Sequence, residues 1–150
     1  MAKLHFYVEI AAAPDRVAAF FVPQRMVYWY GADMNTEFEV QGGAADFAAG
    51  QKVRITGRVA GKEVTLTAVV MRYEPGRALQ WEFRDAYGVR GLQRWEIAAA
   101  VAGSRVTMLD EYDMPGGTMW RFFDRVFTQR AIARRNRNYL AKLKQLAERS

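Results

Sequence analysis

From Leu4 to Ile10 apolar and polar residues alternate, with Leu4, Phe6, Val8 and Ile10 on one face and His5, Tyr7 and Glu9 on the other. That period of two predicts a half-buried strand. Pro14 then suits the first turn of a short helix, with Asp15 at its positive end and Val17, Phe20 and Phe21 as its apolar stripe. Pro23 is expected to stop it, and a second short helix is expected over Gln24 to Tyr30, ended by Gly31. Alternation resumes at Thr36 to Gln41 around Phe38 and Val40. Lys52 to Val59 and Lys62 to Tyr73 form a predicted hairpin around Ala60-Gly61. Pairing Val59 with Lys62 sets Gly57 opposite Val64, Ile55 opposite Leu66 and Val53 opposite Ala68, which leaves one face apolar throughout. Glu74-Pro75-Gly76-Arg77 has the chemistry of a tight turn. The strand after it points Leu79, Trp81 and Phe83 inward, the next (Val89 to Ile97) points Gln93, Trp95 and Ile97 inward, and a last strand runs from Arg105 to Asp113.

From Thr118 onward the period changes to that of a helix. Phe122, Val126, Gln129, Ala133, Asn136, Leu140, Leu143 and Ala147 recur at alternating spacings of four and three, so they share one stripe of a single long helix reaching about Glu148. Phe123, Phe127, Ile132, Tyr139 and Leu146 flank the stripe. No repeat, linker or low-complexity tract divides the chain, so its 150 residues are expected to form one domain.

The order of these elements, and three local segments, carry a resemblance. EIAAAPDRVAAFF resembles the opening strand, proline and first helix of the START-like helix-grip superfamily (SRPBCC). MRYEPGRALQWEF resembles its recurrent acid-proline turn between strands. AVAGSRVTMLDEYDMPGG, followed by a helix ending YLAKLKQLAER, resembles the polyketide cyclase/dehydrase and lipid-transport family within it. The resemblance spans essentially the whole chain. It implies an α+β helix-grip fold: a seven-stranded curved antiparallel sheet wrapped around a long C-terminal helix, with two short helices between the first and second strands. It also implies a cavity between sheet and helix that takes a small apolar molecule. Relatives bind lipids, sterols, quinones or plant hormones, cyclise polyketides, assist chaperones or act at the ribosome, so the fold does not by itself name the chemistry.

The residue inventory narrows that chemistry. There is no cysteine, the only histidine is His5 on an outward strand face, and the only serines are Ser104 and Ser150. No catalytic triad, thiolate chemistry or histidine metal site can be built from these, and the scattered carboxylates lack ligand spacing. Gly42-Gly43 lacks the lysine and hydroxyl of a phosphate loop. No cofactor is expected. The opening MAKLHFYVEI has no secretory pattern and no apolar run is long enough to span a bilayer, so a soluble, cytoplasmic protein is expected. The net charge of +6 is concentrated: nine Lys/Arg against two acids follow Thr118, whereas the first 117 residues hold 13 basic and 14 acidic groups. A solvated outer helix face explains this more simply than a weak contact with an anionic surface, and no specific DNA binding is expected.

The positive candidates are polar residues on inward positions. Asp110 alternates with Val106, Met108 and Tyr112, and pairing Ile97 with Val106 places Gln93 directly opposite it. An amide beside a buried carboxyl supplies the hydrogen bond that its desolvation demands. Gln129 and Asn136 point at the sheet from the helix stripe. With Phe38, Trp81, Trp95, Met108, Phe122 and Val126 as apolar walls, these residues predict a small-ligand pocket with a polar anchor. Two other readings stand beside non-covalent binding: an aromatase/cyclase-type enzyme using Asp110 and Tyr112 as an acid–base pair, and an interaction module that docks its basic helix on RNA, a ribosome or an anionic membrane. A β-bulge near Asp110 would turn its side chain outward instead.

Overall fold

A computed structural model of the chain describes residues 2–59, 61–116 and 129–149. Seven strands form one antiparallel sheet: β1 (Ala2–Ile10), β2 (Glu37–Val40), β3 (Lys52–Val59), β4 (Lys62–Glu74), β5 (Ala78–Asp85), β6 (Arg90–Ala100) and β7 (Gly103–Asp113). Their spatial order is β1-β7-β6-β5-β4-β3-β2, so the chain returns across the sheet by successive hairpins and leaves β1 and β2 at its open edges. Among the described residues the α-helices are α1 (Pro14–Ala18), α2 (Pro23–Met26) and α3 (Gln129–Arg149). This is the expected curved sheet with a C-terminal helix and two short helices after the first strand.

The hairpin register follows the alternation of the sequence. Val53↔Ala68, Ile55↔Leu66, Gly57↔Val64 and Val59↔Lys62 pair as predicted, as do Gln93↔Asp110 and Ile97↔Val106. No bulge disturbs β6 and β7; the one register shift among these pairings lies in β4 between Val70 and Arg72. There Met71 is the extra residue and turns outward, so Val70 and Tyr73 both face the core side.

The short helices depart from expectation. Pro23 does not end α1 but opens α2, where its fixed φ and missing N–H are tolerated. Regular helix stops at Met26 rather than Tyr30, because the Tyr28 and Trp29 amides bond back three residues while the Trp29 indole donates to the Phe20 carbonyl at 2.8 Å. Gly31 then takes a φ of 72°, open to glycine, and its carbonyl accepts the Thr36 hydroxyl at 2.6 Å. This turn buries Trp29 and Tyr30 side by side.

Helix α3 runs unbroken through residue 133 and buries Asn136, Tyr139, Leu140, Leu143 and Ala147, which follows the predicted stripe. Phe122 and Val126, expected further up that stripe, lie outside the described residues. The outer face of α3 exposes Arg130, Arg134, Arg137 and Gln145 to solvent. At its far end the Lys144 ammonium donates to the Glu9 carbonyl at 2.8 Å, and the Glu148 carboxylate accepts the Ala11 amide at 2.7 Å. These bonds clasp the helix to the end of β1. Among the described residues no helix is long and apolar enough to cross a membrane.

Leu143 is fully buried against the sheet, so Leu143→Ala removes its apolar contacts and leaves a cavity. Urea unfolding should show a loss of about 2–5 kcal/mol, whereas Gln145→Ala on the exposed face should stay within about 0.5 kcal/mol of the parent.

Candidate functional site

Strand pairing places the candidate residues in rows across the sheet. Leu4, Asp110, Gln93, Trp81 and Val70 are successive partners on β1, β7, β6, β5 and β4. On one side of this row run Phe6, Met108, Trp95 and Leu79. On the other run Tyr112, Gly91, Phe83, Ala68 and Val53. The two sides differ in what covers them.

The Met108 side is solid. Phe21, Trp29 and Tyr30 place their rings 6.4, 6.2 and 5.7 Å from that of Trp95, and Trp81 stacks edgewise on it at 4.9 Å. Trp81, Trp95 and Met108 have no exposed surface. Phe38 packs on Tyr30 and Trp81 at 5.9 and 6.4 Å. The expected apolar wall of Phe38, Trp81, Trp95 and Met108 is therefore a filled aromatic core, because rings from the α1–β2 segment occupy the space in front of it.

The Tyr112 side is hollow. A cavity of about 460 Å³ lies there, bounded by Ile55, Val64, Leu66, Phe83, Val89 and Tyr112 from the sheet and by Ile132, Asn136 and Tyr139 from α3. Its volume falls in the range of roughly 300–1,000 Å³ typical of small-molecule sites. Lys62, Tyr87 and Arg135 are exposed residues that also line it, so it reaches the surface on that side. Gly91 holds the strands together beside it: a Cβ there would stand 1.9 Å from the Glu111 carbonyl oxygen and 2.7 Å from the Tyr112 Cα.

The polar row forms the inner end of the cavity. Gln93 Oε1 accepts the Tyr30 hydroxyl at 2.8 Å and the Trp81 indole N–H at 2.9 Å. An indole N–H only donates, so the amide is oriented with its oxygen toward Trp81 and its nitrogen toward Asp110. Gln93 Nε2 reaches Asp110 Oδ2 at 3.4 Å, and Asn136 Nδ2 donates to the same oxygen at 2.8 Å. Asp110 is 3% exposed, and its other oxygen, Oδ1, has no hydrogen-bond partner among the described residues. Burial pushes the carboxyl above the usual aspartate range; the bonds from Asn136 and Gln93 and the positive charge of Arg135 oppose that rise. Burial likewise raises the Tyr30 and Tyr139 phenols, which stay neutral.

Of the predicted anchor residues, Gln93, Asp110, Tyr112 and Asn136 meet at the cavity. Gln129 is half-buried and does not line it. Lining residues not foreseen there include Tyr30, Thr36, Arg135 and the sheet residues Ile55, Leu66 and Phe83, together with Ile132 and Tyr139, which the helical period had placed beside the stripe. Arg135 and Asn136 are neighbours on α3, so the period alone puts one at the polar row and the other at the rim. Among the described residues no group of three or more His, Asp or Glu side chains is placed to hold a metal ion.

Comparison with known proteins agrees with this architecture. The sequence profile described as "Polyketide cyclase / dehydrase and lipid transport" matches residues 1–148. Among curated proteins none matches the sequence. Similar solved structures include CV1439 from Chromobacterium violaceum, 17% identical with all of both chains covered and a TM-score of 0.72. SA2116 from Staphylococcus aureus is 13% identical over 98% of this chain and 93% of its own, with a TM-score of 0.78. DynU16, a protein of the dynemicin biosynthetic locus, is 17% identical over 98% of this chain, with a TM-score of 0.69. The chain spans 47% of DynU16's length. At these identities the likeness is one of fold.

The raised carboxyl of Asp110 has a consequence for stability. The folded state holds this proton more tightly than the unfolded chain, so its contribution is complete below the unfolded pKa and is lost as pH rises through the folded one. Asp110→Asn keeps the shape and removes the charge. Thermal midpoints of variant and parent should lie close together in acid, and the variant should gain on the parent as pH rises toward about 8. A parent that gains on the variant over that range would show the carboxylate to be stabilising.

Proposed function

The chain belongs to the polyketide cyclase/dehydrase and lipid-transport family, and on that premise we propose that it binds one small, predominantly apolar molecule non-covalently in the cavity between sheet and helix. The observation that carries this reading is the cavity's polarity pattern. Its walls are mainly aliphatic and aromatic, with Lys62, Asp85 and Arg135 also on the lining, and its inner end gathers Gln93, Asp110 and Asn136 on a hydrogen-bonded row. A lipid, quinone or polyketide-like molecule has the matching form: an apolar body for burial and a few polar atoms for orientation.

A second reading has one specific observation in its favour. A buried carboxyl whose pKa is raised, facing a cavity it shares with Tyr112, is poised as a proton carrier for an aromatase or cyclase reaction. Such a reaction needs a shaped cavity and a placed acid, and no covalent intermediate. Turnover of a poly-ketone substrate that disappears in Asp110→Asn, with binding retained, would identify the enzyme. Binding without turnover leaves the carrier.

An apolar fluorescent probe should bind with a stoichiometry of about one and quench tryptophan emission, since Trp81 bonds directly to Gln93 on the cavity lining. Phe83→Trp narrows the cavity from the sheet side, and probe affinity should fall by about tenfold or more. Native mass spectrometry of gently purified protein should show an added small-molecule mass that organic extraction removes. Probe binding unchanged by Phe83→Trp would place it elsewhere on the surface.

A further inference from the structure

We infer that the bound molecule is an organic acid: its apolar body lies in the cavity, and its carboxylate sits at the mouth, paired with Arg135 and Lys62 and accepting a hydrogen bond from the Tyr139 hydroxyl. The inference rests on the cavity-binding reading and adds a contact at the mouth to the polar row at the inner end. Lys62 reaches the lining from β4 and Arg135 from α3, so the sheet wall and the helix wall each bring a cation to one opening. Neither forms an ion pair among the described residues, whereas Arg72, Arg105 and Lys144 do. Tyr139 is 5% exposed and lines the same cavity, and its hydroxyl makes no hydrogen bond among the described residues. That oxygen is open to solvent, unlike Asp110 Oδ1, which is sealed. Burial raises the phenol, with the charge of Arg135 opposing, so the hydroxyl keeps its proton and can donate it to an acceptor.

The acids nearby do not cancel the positive mouth. Asp85 lines the cavity, but its Oδ1 accepts the Tyr87 and Val89 amides at 2.8 and 3.0 Å within its own turn. Burial pushes Asp110 toward its neutral form, and its Oδ2 is already engaged by Asn136 and Gln93. Asp33, whose charge reaches Tyr139, is exposed and does not line the cavity. An ammonium would meet Arg135 and Lys62 as like charges, and a ketone or ester would leave both without a counter-charge. A carboxylate is planar and accepts only, with lone pairs enough for a guanidinium fork and a phenol O–H together. The apolar body then lies along Phe83, Leu66 and Ile55.

The test measures binding of naphthalene, β-naphthoate, methyl β-naphthoate and decanoate to the full chain near neutral pH, by calorimetry and tryptophan quenching. β-Naphthoate should bind roughly tenfold or more tighter than its methyl ester, the worth of hydrogen bonds to a charged acceptor, and the preference should shrink as salt is raised. Arg135→Gln should cut that preference to about threefold or less while ester affinity stays within about twofold. Tyr139→Phe keeps the ring and should weaken naphthoate several-fold more than the ester. Decanoate that binds with the same dependence on Arg135 would support a fatty acid, and naphthoate alone an aromatic one. Equal affinity for naphthoate and its ester in the parent protein would overturn the acid and leave the cavity reading intact. A preference that persists undiminished when Arg135→Gln and Lys62→Gln are combined would overturn this site. Failure of all four probes to bind would overturn the acid together with the cavity reading.

Discussion

A carboxyl group taken out of water must be supplied with donors or give up its charge, and the inner architecture of this protein is arranged around that requirement at Asp110. Its partners come from separate parts of the chain: Gln93 from β6, Asn136 from α3, and behind Gln93 the Trp81 indole of β5 and the Tyr30 hydroxyl of the turn that follows α2. Strand pairing alone brings Gln93 and Asp110 face to face. The Asn136 bond then fixes how far along its axis α3 sits on the sheet, and the Tyr30 bond draws the connection between β1 and β2 down over the same spot. One buried polar row thus ties together helix, sheet and connecting segment.

That row also separates two interiors that an apolar pattern makes look alike. On its Trp95 side, rings from the connecting segment fill the sheet's concave face and make a core of ordinary density. On its Tyr112 side the sheet and α3 leave a hollow, rimmed by Lys62 and Arg135. A ligand in the hollow would rest its apolar body on aliphatic walls and meet its inner polar contacts where the solid core begins. The arrangement has the asymmetry of a binding site built into a fold, with rigidity behind the anchor and open volume in front of it.

Much of this was legible in the alternation of the chain. Strand faces, the Gly57↔Val64 and Gln93↔Asp110 pairings and the helical stripe through Asn136 and Leu143 follow from periods of two and of about 3.6, which side-chain geometry enforces. What period cannot tell is position along a face. Trp81, Trp95 and Gln93 are all inward residues, yet only Gln93 reaches the cavity, because the difference is made by Phe21, Trp29 and Tyr30. Those three belong to irregular turns around α1 and α2, whose path depends on Pro23 opening a helix and on Gly31 reversing the chain. Gln129 satisfied the helical period without reaching the cavity, while Tyr139, beside the stripe, did reach it. The sequence signal for Tyr30 was slight: a large aromatic directly before a glycine that ends a helical turn.

The central claim is that Asp110 is buried on the hydrogen-bonded row that closes the inner end of the cavity. Site-resolved carboxyl NMR across an acid titration tests it most directly. The account predicts a midpoint above the usual aspartate range, for which burial is the cause. A midpoint at the ordinary aspartate value would place the carboxylate in solvent and contradict the account.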